Sequence, residues 1–217
     1  MKSALIPLAA LGQVVYATVQ GFDISNYQPT VDFKSAYSSG ARFVIIKATE
    51  GTDYIDPSFS SHYTSATSAG FIRGGYHFAH LDTSSGATQA TYFLAHGGGW
   101  SGDGITLPGM LDLEGSCVLS ASATVSWIED FSNTYHSKTG VYPLIYSSPS
   151  WWSECTANSN AFVNTNPLVL ADYASSPDVP GGWPYETFWQ YNDAYTYGGD
   201  SDLFNGDMAG LMAIAKG

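Results

Sequence analysis

Positive charge is what this chain has least of. Seven Lys and Arg stand against nineteen Asp and Glu in 217 residues, a net charge of −12. Such a surface is repelled by nucleic-acid phosphates and by anionic membranes, so neither is expected as a partner. A polyanionic substrate would have to be held by contacts inside a cleft. Cysteine is nearly missing as well, with only Cys117 and Cys155 present, and neither has a His at ligand spacing, which argues against a metal site. No Asn-x-Ser/Thr acceptor, linker or low-complexity tract occurs, and no Gly-x-Gly-x-x-Gly fingerprint between a strand and a helix supports a dinucleotide site.

Long apolar runs are scarce too. Lys2, the apolar stretch Ala4 to Leu11, and small residues at Val15 and Ala17 read as a secretory signal over residues 1–17, too short in its apolar part to span a bilayer. The remaining 18–217 is expected to be one domain, long enough for a sizeable core, and nothing points to an obligate oligomer, so a secreted monomer is expected. In a secreted chain two cysteines read as one disulfide, Cys117 to Cys155. Closing that loop is worth roughly 4 kcal/mol on the chain-entropy model.

Aromatics, by contrast, make up 15% of the chain against 12% charged residues. Tyr and Trp rings stack on sugars, although they also fill cores. Short β-branched or aromatic runs alternate with helical patterns. Strands are expected over 21–25, 42–49, 72–79, 109–113, 142–147, 167–172, 187–191 and, more weakly, 201–204, with helices over 33–39, 57–69, 86–96, 121–137, 151–162 and 207–216. Pro57 suits a first helical turn, and Gly40, Gly70 and Gly140 suit helix stops. Eight strands with intervening helices predict an α/β fold, a closed parallel barrel of the TIM type. At this length it must be reduced, with fewer than eight full helices and its last strands joined by loops. An open doubly wound sheet is the runner-up.

The expected strands end in polar or aromatic residues: Asp23, Glu50, His77 with His80, Asp112 with Glu114, Tyr146, Asp172 and Gln190. Barrel enzymes build their sites at such ends. Within this set, Asp112-Leu113-Glu114 closes an apolar run, and residues two apart on a strand share a face with Cα atoms roughly 6.5–7 Å apart. Two acids so placed can span a glycosidic bond, one giving a proton while the other manages positive charge at the sugar carbon.

Asp23-Ile24, Gln28-Pro29, Gly40, Ile45-Ile46-Lys47, Thr49-Glu50-Gly51, Tyr54 and Asp56 form a long, irregularly spaced block. Gly75-Tyr76-His77-Phe78, Asp112-x-Glu114, Trp189-Gln190-Tyr191 and Asp200 to Asn205-Gly206 follow. Together they resemble the glycoside hydrolase family 25 lysozymes, the Chalaropsis-type muramidases, over essentially the whole chain from about Val19. The resemblance implies hydrolysis of the β-1,4 bond between N-acetylmuramic acid and N-acetylglucosamine in bacterial peptidoglycan, with no cofactor. It casts Glu114 as proton donor and Asp112 as the partner acid that steers the substrate's own 2-acetamido group onto the anomeric carbon, with inversion through Asp112 or Asp23 and a water as the alternative. Asp23 and Asp200 match acids completing the cleft, although Asp202 shares a face with Asp200 and could take its place. Glu50 matches a signature acid whose role is substrate contact or structural hydrogen bonding.

Tyr76, Tyr146, Trp189 and Tyr191 are candidate sugar contacts, and Trp151 or Trp152 could line the cleft or cap the barrel. His77 and His80 face opposite ways on a strand, so a shared metal is not expected, and one buried, hydrogen-bonded His is. Glu129, Asp130, Glu154 and Glu186 are expected on solvated surfaces. A chitinase-like barrel is disfavoured because Met110 and Leu107 stand where its motif carries aspartates, and a silent sugar-binding module because no acid has been lost.

Overall fold

The computed structural model describes residues 18–217, so the expected signal over 1–17 lies outside the described residues. In chain order the elements are β1 (Val19–Ile24), α1 (Phe33–Ser38), β2 (Phe43–Glu50), β3 (Tyr54–Ile55), α2 (Phe59–Ala69), β4 (Ile72–Phe78) and α3 (Gly86–Ala95). They continue with β5 (Met110–Asp112), α4 (Ala121–Thr139), β6 (Leu144–Ser147), α5 (Pro149–Thr156), β7 (Leu168–Ala171), β8 (Phe188–Asn192), β9 (Asp200–Phe204) and α6 (Met208–Ile214).

Helix starts follow local chemistry. Asp32, Ser85, Ser120, Ser148 and Asp207 each accept a first-turn N–H of the helix they precede, and Gly70 and Gly140 end α2 and α4 in the left-handed conformation. Two expectations shift. Pro57 precedes the cap residue Ser58 and stays outside α2, whereas Pro149 opens α5. The helix expected to reach Phe162 stops at Thr156, because Ala157 and Asn158 both turn left-handed, with Asn158 Oδ1 accepting from Gly181 N at 2.7 Å.

Eight strands close into a barrel in the order β1, β9, β8, β7, β6, β5, β4, β2, with β2 pairing back to β1 and β3 folded against β2 as a short flap. The reduced α/β barrel is as expected, with six helices among the described residues and no helix between β7 and β8 or between β8 and β9. Its strands are not all parallel, however: β9 runs antiparallel to both β8 and β1. The seven residues 193–199 can turn the chain back beside β8 but cannot carry it over the sheet to re-enter in the same direction.

Alternation sorts the side chains into two layers. Phe43, Ile45, Ile72, Met110, Leu144, Val169, Phe188 and Phe204 fill the barrel interior, and Leu211 and Ala215 of the α6 region close its lower end. Outside, Phe22, Val44 and Ile46 pack under α1 and α2, and Leu111, Ile145 and Leu170 pack under α3 to α5. Gly21 makes room for the Phe43 ring lying across from it in the β1–β2 pair, where any Cβ would collide with that ring. Trp151 and Trp152 belong to the outer layer, so neither lines the cleft. Glu186 is buried, not solvated as expected, and burial raises its carboxyl pKa.

Cys117 and Cys155 are bonded, with Cα atoms 5.1 Å apart, tying the segment after β5 to the last turn of α5. Reduction is expected to lower the melting temperature more than it alters the pH–activity profile, and equal melting temperatures with and without reductant would sink that expectation.

Candidate active site

The upper ends of the strands surround a cavity of about 510 Å³, within the range of ligand sites, whose walls include Asp23, Lys47, Glu50, Tyr76, Glu114 and Asp200. Each arrives from a different direction. Asp23 is the penultimate residue of β1, Tyr76 points inward from β4, and Glu114 lies two residues past the end of β5. Asp200 is at the amino end of its strand and still reaches this rim, because β9 runs downward.

On β2 a bulge between Lys47 and Thr49 resets the alternation, so Lys47 and Glu50, three apart, both face the cavity. Lys47 Nζ lies 2.6 Å from Glu50 Oε2, with the Phe78 ring 4.9 Å away, and His80 Nε2 lies 2.8 Å from Glu50 Oε1. Burial alone would raise the Glu50 carboxyl, but the hydrogen bonds and charges of Lys47 and His80 outweigh it and hold the pKa below the ordinary value. Glu50 thus holds Lys47, the one cation on the cavity wall among the described residues. His77 faces outward from the barrel, buried between Thr49 Oγ1 at 2.8 Å and Gln89 Oε1 at 2.9 Å. Burial lowers its pKa to about 4, so it stays neutral.

Gln190 organises the opposite wall. Asp23 and Asp200 are directly paired across β1 and β9, where two like charges repel. Gln190 Nε2 donates to Asp23 Oδ2 at 2.7 Å and to Asp200 Oδ2 at 3.3 Å, and its Oε1 accepts from the hydroxyls of Tyr146 at 3.1 Å and Tyr173 at 2.8 Å. Sequence reasoning counted Gln190 among the strand-end residues around the expected cleft without giving it a role. The available signal was its alternation with Phe188, a core residue two positions earlier. That alternation turns Trp189 and Tyr191 to the outside of β8, where Trp189 Nε1 donates to Asp172 O and the Tyr191 hydroxyl to Gln20 Oε1. The structure therefore does not bring these two candidate sugar contacts into the cavity. It supplies Tyr27 and Tyr173 at the rim instead, 83% and 55% exposed.

The acids differ in depth. Asp112 is buried, and its Oδ1 has no hydrogen-bond partner. Burial first, then the charges of Glu114 and Asp23, push its carboxyl well above the ordinary range. Glu114 is the most open, solvent-exposed at the mouth, yet the surrounding protein still desolvates it enough to raise its pKa, with Lys47 pulling the other way. Asp23 is raised to about 7 by burial and the Asp200 charge, against hydrogen bonds from Gln190 and Asp202. Asp200 lines the cavity, whereas Asp202, facing the same interior, is buried below it.

These raised values set the pH dependence of stability. A carboxyl whose folded pKa exceeds its unfolded one holds its proton longer in the folded state, so its contribution is complete below the unfolded value and is lost as pH rises to the folded value. For Asp23 that window runs from 3.8 to about 7, and Asp112 and Asp202, both held well above the ordinary carboxylate value, act in the same direction. The melting temperature is therefore expected to fall between mildly acidic and neutral pH. A calorimetric series in which it rises over that interval would contradict the protonation assigned to this cluster.

Several acids of unequal pKa converging at one end of a closed barrel, beside tyrosine faces, suit the protonation and charge stabilisation that cleavage of a glycosidic bond requires. The family profile "Glycosyl hydrolases family 25" matches residues 22–200. The chain is 64% identical to the N,O-diacetylmuramidase of Chalaropsis sp. over 92% of this chain and all of that one. Among solved structures, the muramidase from Trichobolus zukalii matches with a TM-score of 0.90 and 62% identity, covering 91% of this chain and 99% of the other. The family GH25 lysozyme from Aspergillus fumigatus gives 0.91 and 55%, covering 93% and 100%. The chain belongs to glycosyl hydrolase family 25 and is an enzyme of the lysozyme type.

Proposed function

We propose that this lysozyme is secreted and acts as a monomer on bacterial peptidoglycan, cutting the β-1,4 bond between N-acetylmuramic acid and N-acetylglucosamine. Glu114 protonates the leaving oxygen, and Asp112 accepts the acetamide N–H of the sugar whose carbonyl oxygen attacks the anomeric carbon. Asp23 and Asp200 shape the far side of the cleft around Gln190, while Tyr76, Tyr173 and Tyr27 offer faces and hydroxyls to the sugars. Tyr146 supports the site from beside Gln190.

The observation that carries this reading is the contrast between Glu114 and Asp112. A proton donor must reach a bulky leaving group, and Glu114 stands open at the mouth with a raised pKa. Asp112 is enclosed, with one oxygen lacking a donor, and an acetamide N–H supplies one.

Bacterial walls and chitin, incubated separately with the enzyme, test the assignment through turbidity and reducing ends. Release from walls is expected. Release from chitin alone would turn the reading to a chitinase, and binding without release to a silent module. Amino-terminal sequencing of the secreted product should begin at Thr18, and a start at Met1 would remove the signal. No helix among the described residues is long and apolar enough to cross a membrane.

A further inference from the structure

Asp202 is a buried acid that the proposed chemistry does not use. It is 1% exposed, points into the barrel from β9, and lies across from Gly21 on β1 and Gln190 on β8. The titratable groups facing it are Asp23 on β1, Asp200 on its own strand and the phenol of Tyr173 beyond Gln190. None of these is a cation, and Lys47 on β2 is committed to Glu50. The Gln190 amide is fully used by Asp23, Asp200, Tyr146 and Tyr173, and Asp202 Oδ1 has no partner.

An ionised Asp202 would put a second negative charge against Asp23 with nothing to compensate it, among the least favourable arrangements in a protein interior. A neutral carboxylic acid there has one O–H to give, and Asp23, two residues past its β1 partner Gly21 and on the same inward face, is the diagonal neighbour placed to take it. We propose that Asp202 holds a proton and donates it as a hydrogen bond to Asp23, acting as a positioning residue that aims the Asp23 carboxyl at the cavity. Burial and the neighbouring Asp23 and Asp200 charges, which hold Asp202 well above the ordinary carboxylate range, agree with that geometry. The consequence for catalysis rests on Asp23 belonging to the proposed cleft, but the proton-holding pair does not.

The arrangement makes asparagine a substitute. Its amide N–H can replace the acid O–H toward Asp23, and its carbonyl can replace the unpartnered oxygen, whereas leucine of similar size offers no donor. Carboxyl carbon NMR of aspartate-labelled wild type, Asp202→Asn and Asp202→Leu reads this directly. In the wild type the resonance lost on Asp202→Asn should sit at the carboxylic-acid position at mildly acidic pH. The Asp23 midpoint should stay or fall slightly in Asp202→Asn and rise by about one pH unit in Asp202→Leu. kcat should be largely kept by Asn and lost with Leu, with the acid limb of kcat/KM following the Asp23 midpoint.

A carboxylate-position resonance for Asp202 would overturn the proposal. So would equal Asp23 midpoints in the two variants. If Asp202→Leu does not fold, the Asn variant decides alone, because a fall of well over one unit in its Asp23 midpoint would mean that Asp202 had been an ionised repeller. Shifted midpoints with unchanged kcat in every variant would keep the pair and remove Asp23 from the catalytic reading.

Discussion

Glu114→Gln is expected to reduce wall hydrolysis by about 10²–10⁴-fold, the usual worth of a positioned general acid, with little change in folding. The amide keeps the shape and some of the hydrogen bonding of the acid but has no proton to give to a leaving oxygen. Because Glu114 stands beyond the end of β5 with its side chain open to solvent at the cavity mouth, no core packing depends on its charge. Removing that charge also relieves the repulsion that helps to raise Asp112, so the variant should melt at the same temperature as the parent or slightly higher at neutral pH. Binding of wall fragments should persist. Turnover within about threefold of the parent would strip Glu114 of the acid's role, since the whole effect expected of a general acid would then be missing.

Much of the barrel was legible because its strands are short, apolar and β-branched and its helices carry Ser, Asp and Gly at their ends. The direction of β9 was not. Strand direction follows from the length of a connection and from which neighbours a strand finds, and residues 193–199 mark it only by their brevity and one glycine pair. Gly198 and Gly199, both at positive φ, are the local trace of that turn, and a Cβ at Gly199 would strike the Asp23 carbonyl oxygen.

The acids were legible as a set, since Asp23, Asp112, Glu114 and Asp200 all meet at one end of the barrel, but their depths were not. Nothing local distinguishes Asp200 at the rim from Asp202 beneath it, as both have the same parity on one strand. Trp189 and Tyr191 show the opposite difficulty. Their residue type suits sugar contact, yet a shift of one position separates the inside of a strand from its outside, and Gln190 between them takes the interior. The bulge after Lys47 has the same effect in reverse, bringing Glu50 to the cavity against simple alternation.

Asp112→Asn is the variant that separates the possible routes to the anomeric carbon. In the acetamide-assisted route Asp112 never bonds to the sugar. It holds the attacking group by its N–H and balances the positive charge that develops on it. Asn can retain a hydrogen bond through its carbonyl but not the charge, so kcat is expected to fall by about 10²–10³-fold, the scale of losing one electrostatic stabiliser in an enclosed site, with KM nearly unchanged. The parent should release a first-formed product of retained configuration, and residual product from the variant should retain it too, because the neighbouring group and not the residue does the attacking. Inversion in the parent, read by proton NMR before mutarotation, would instead give a water to Asp112 or Asp23. With no sugar bound, and so without the positive charge that favours its ionised form, the Asp112 carboxyl is held well above the ordinary range, so the same substitution should also flatten the fall of melting temperature with rising pH. A large loss of activity with an unflattened stability curve would leave Asp112 in the mechanism but take it out of the proton-holding cluster.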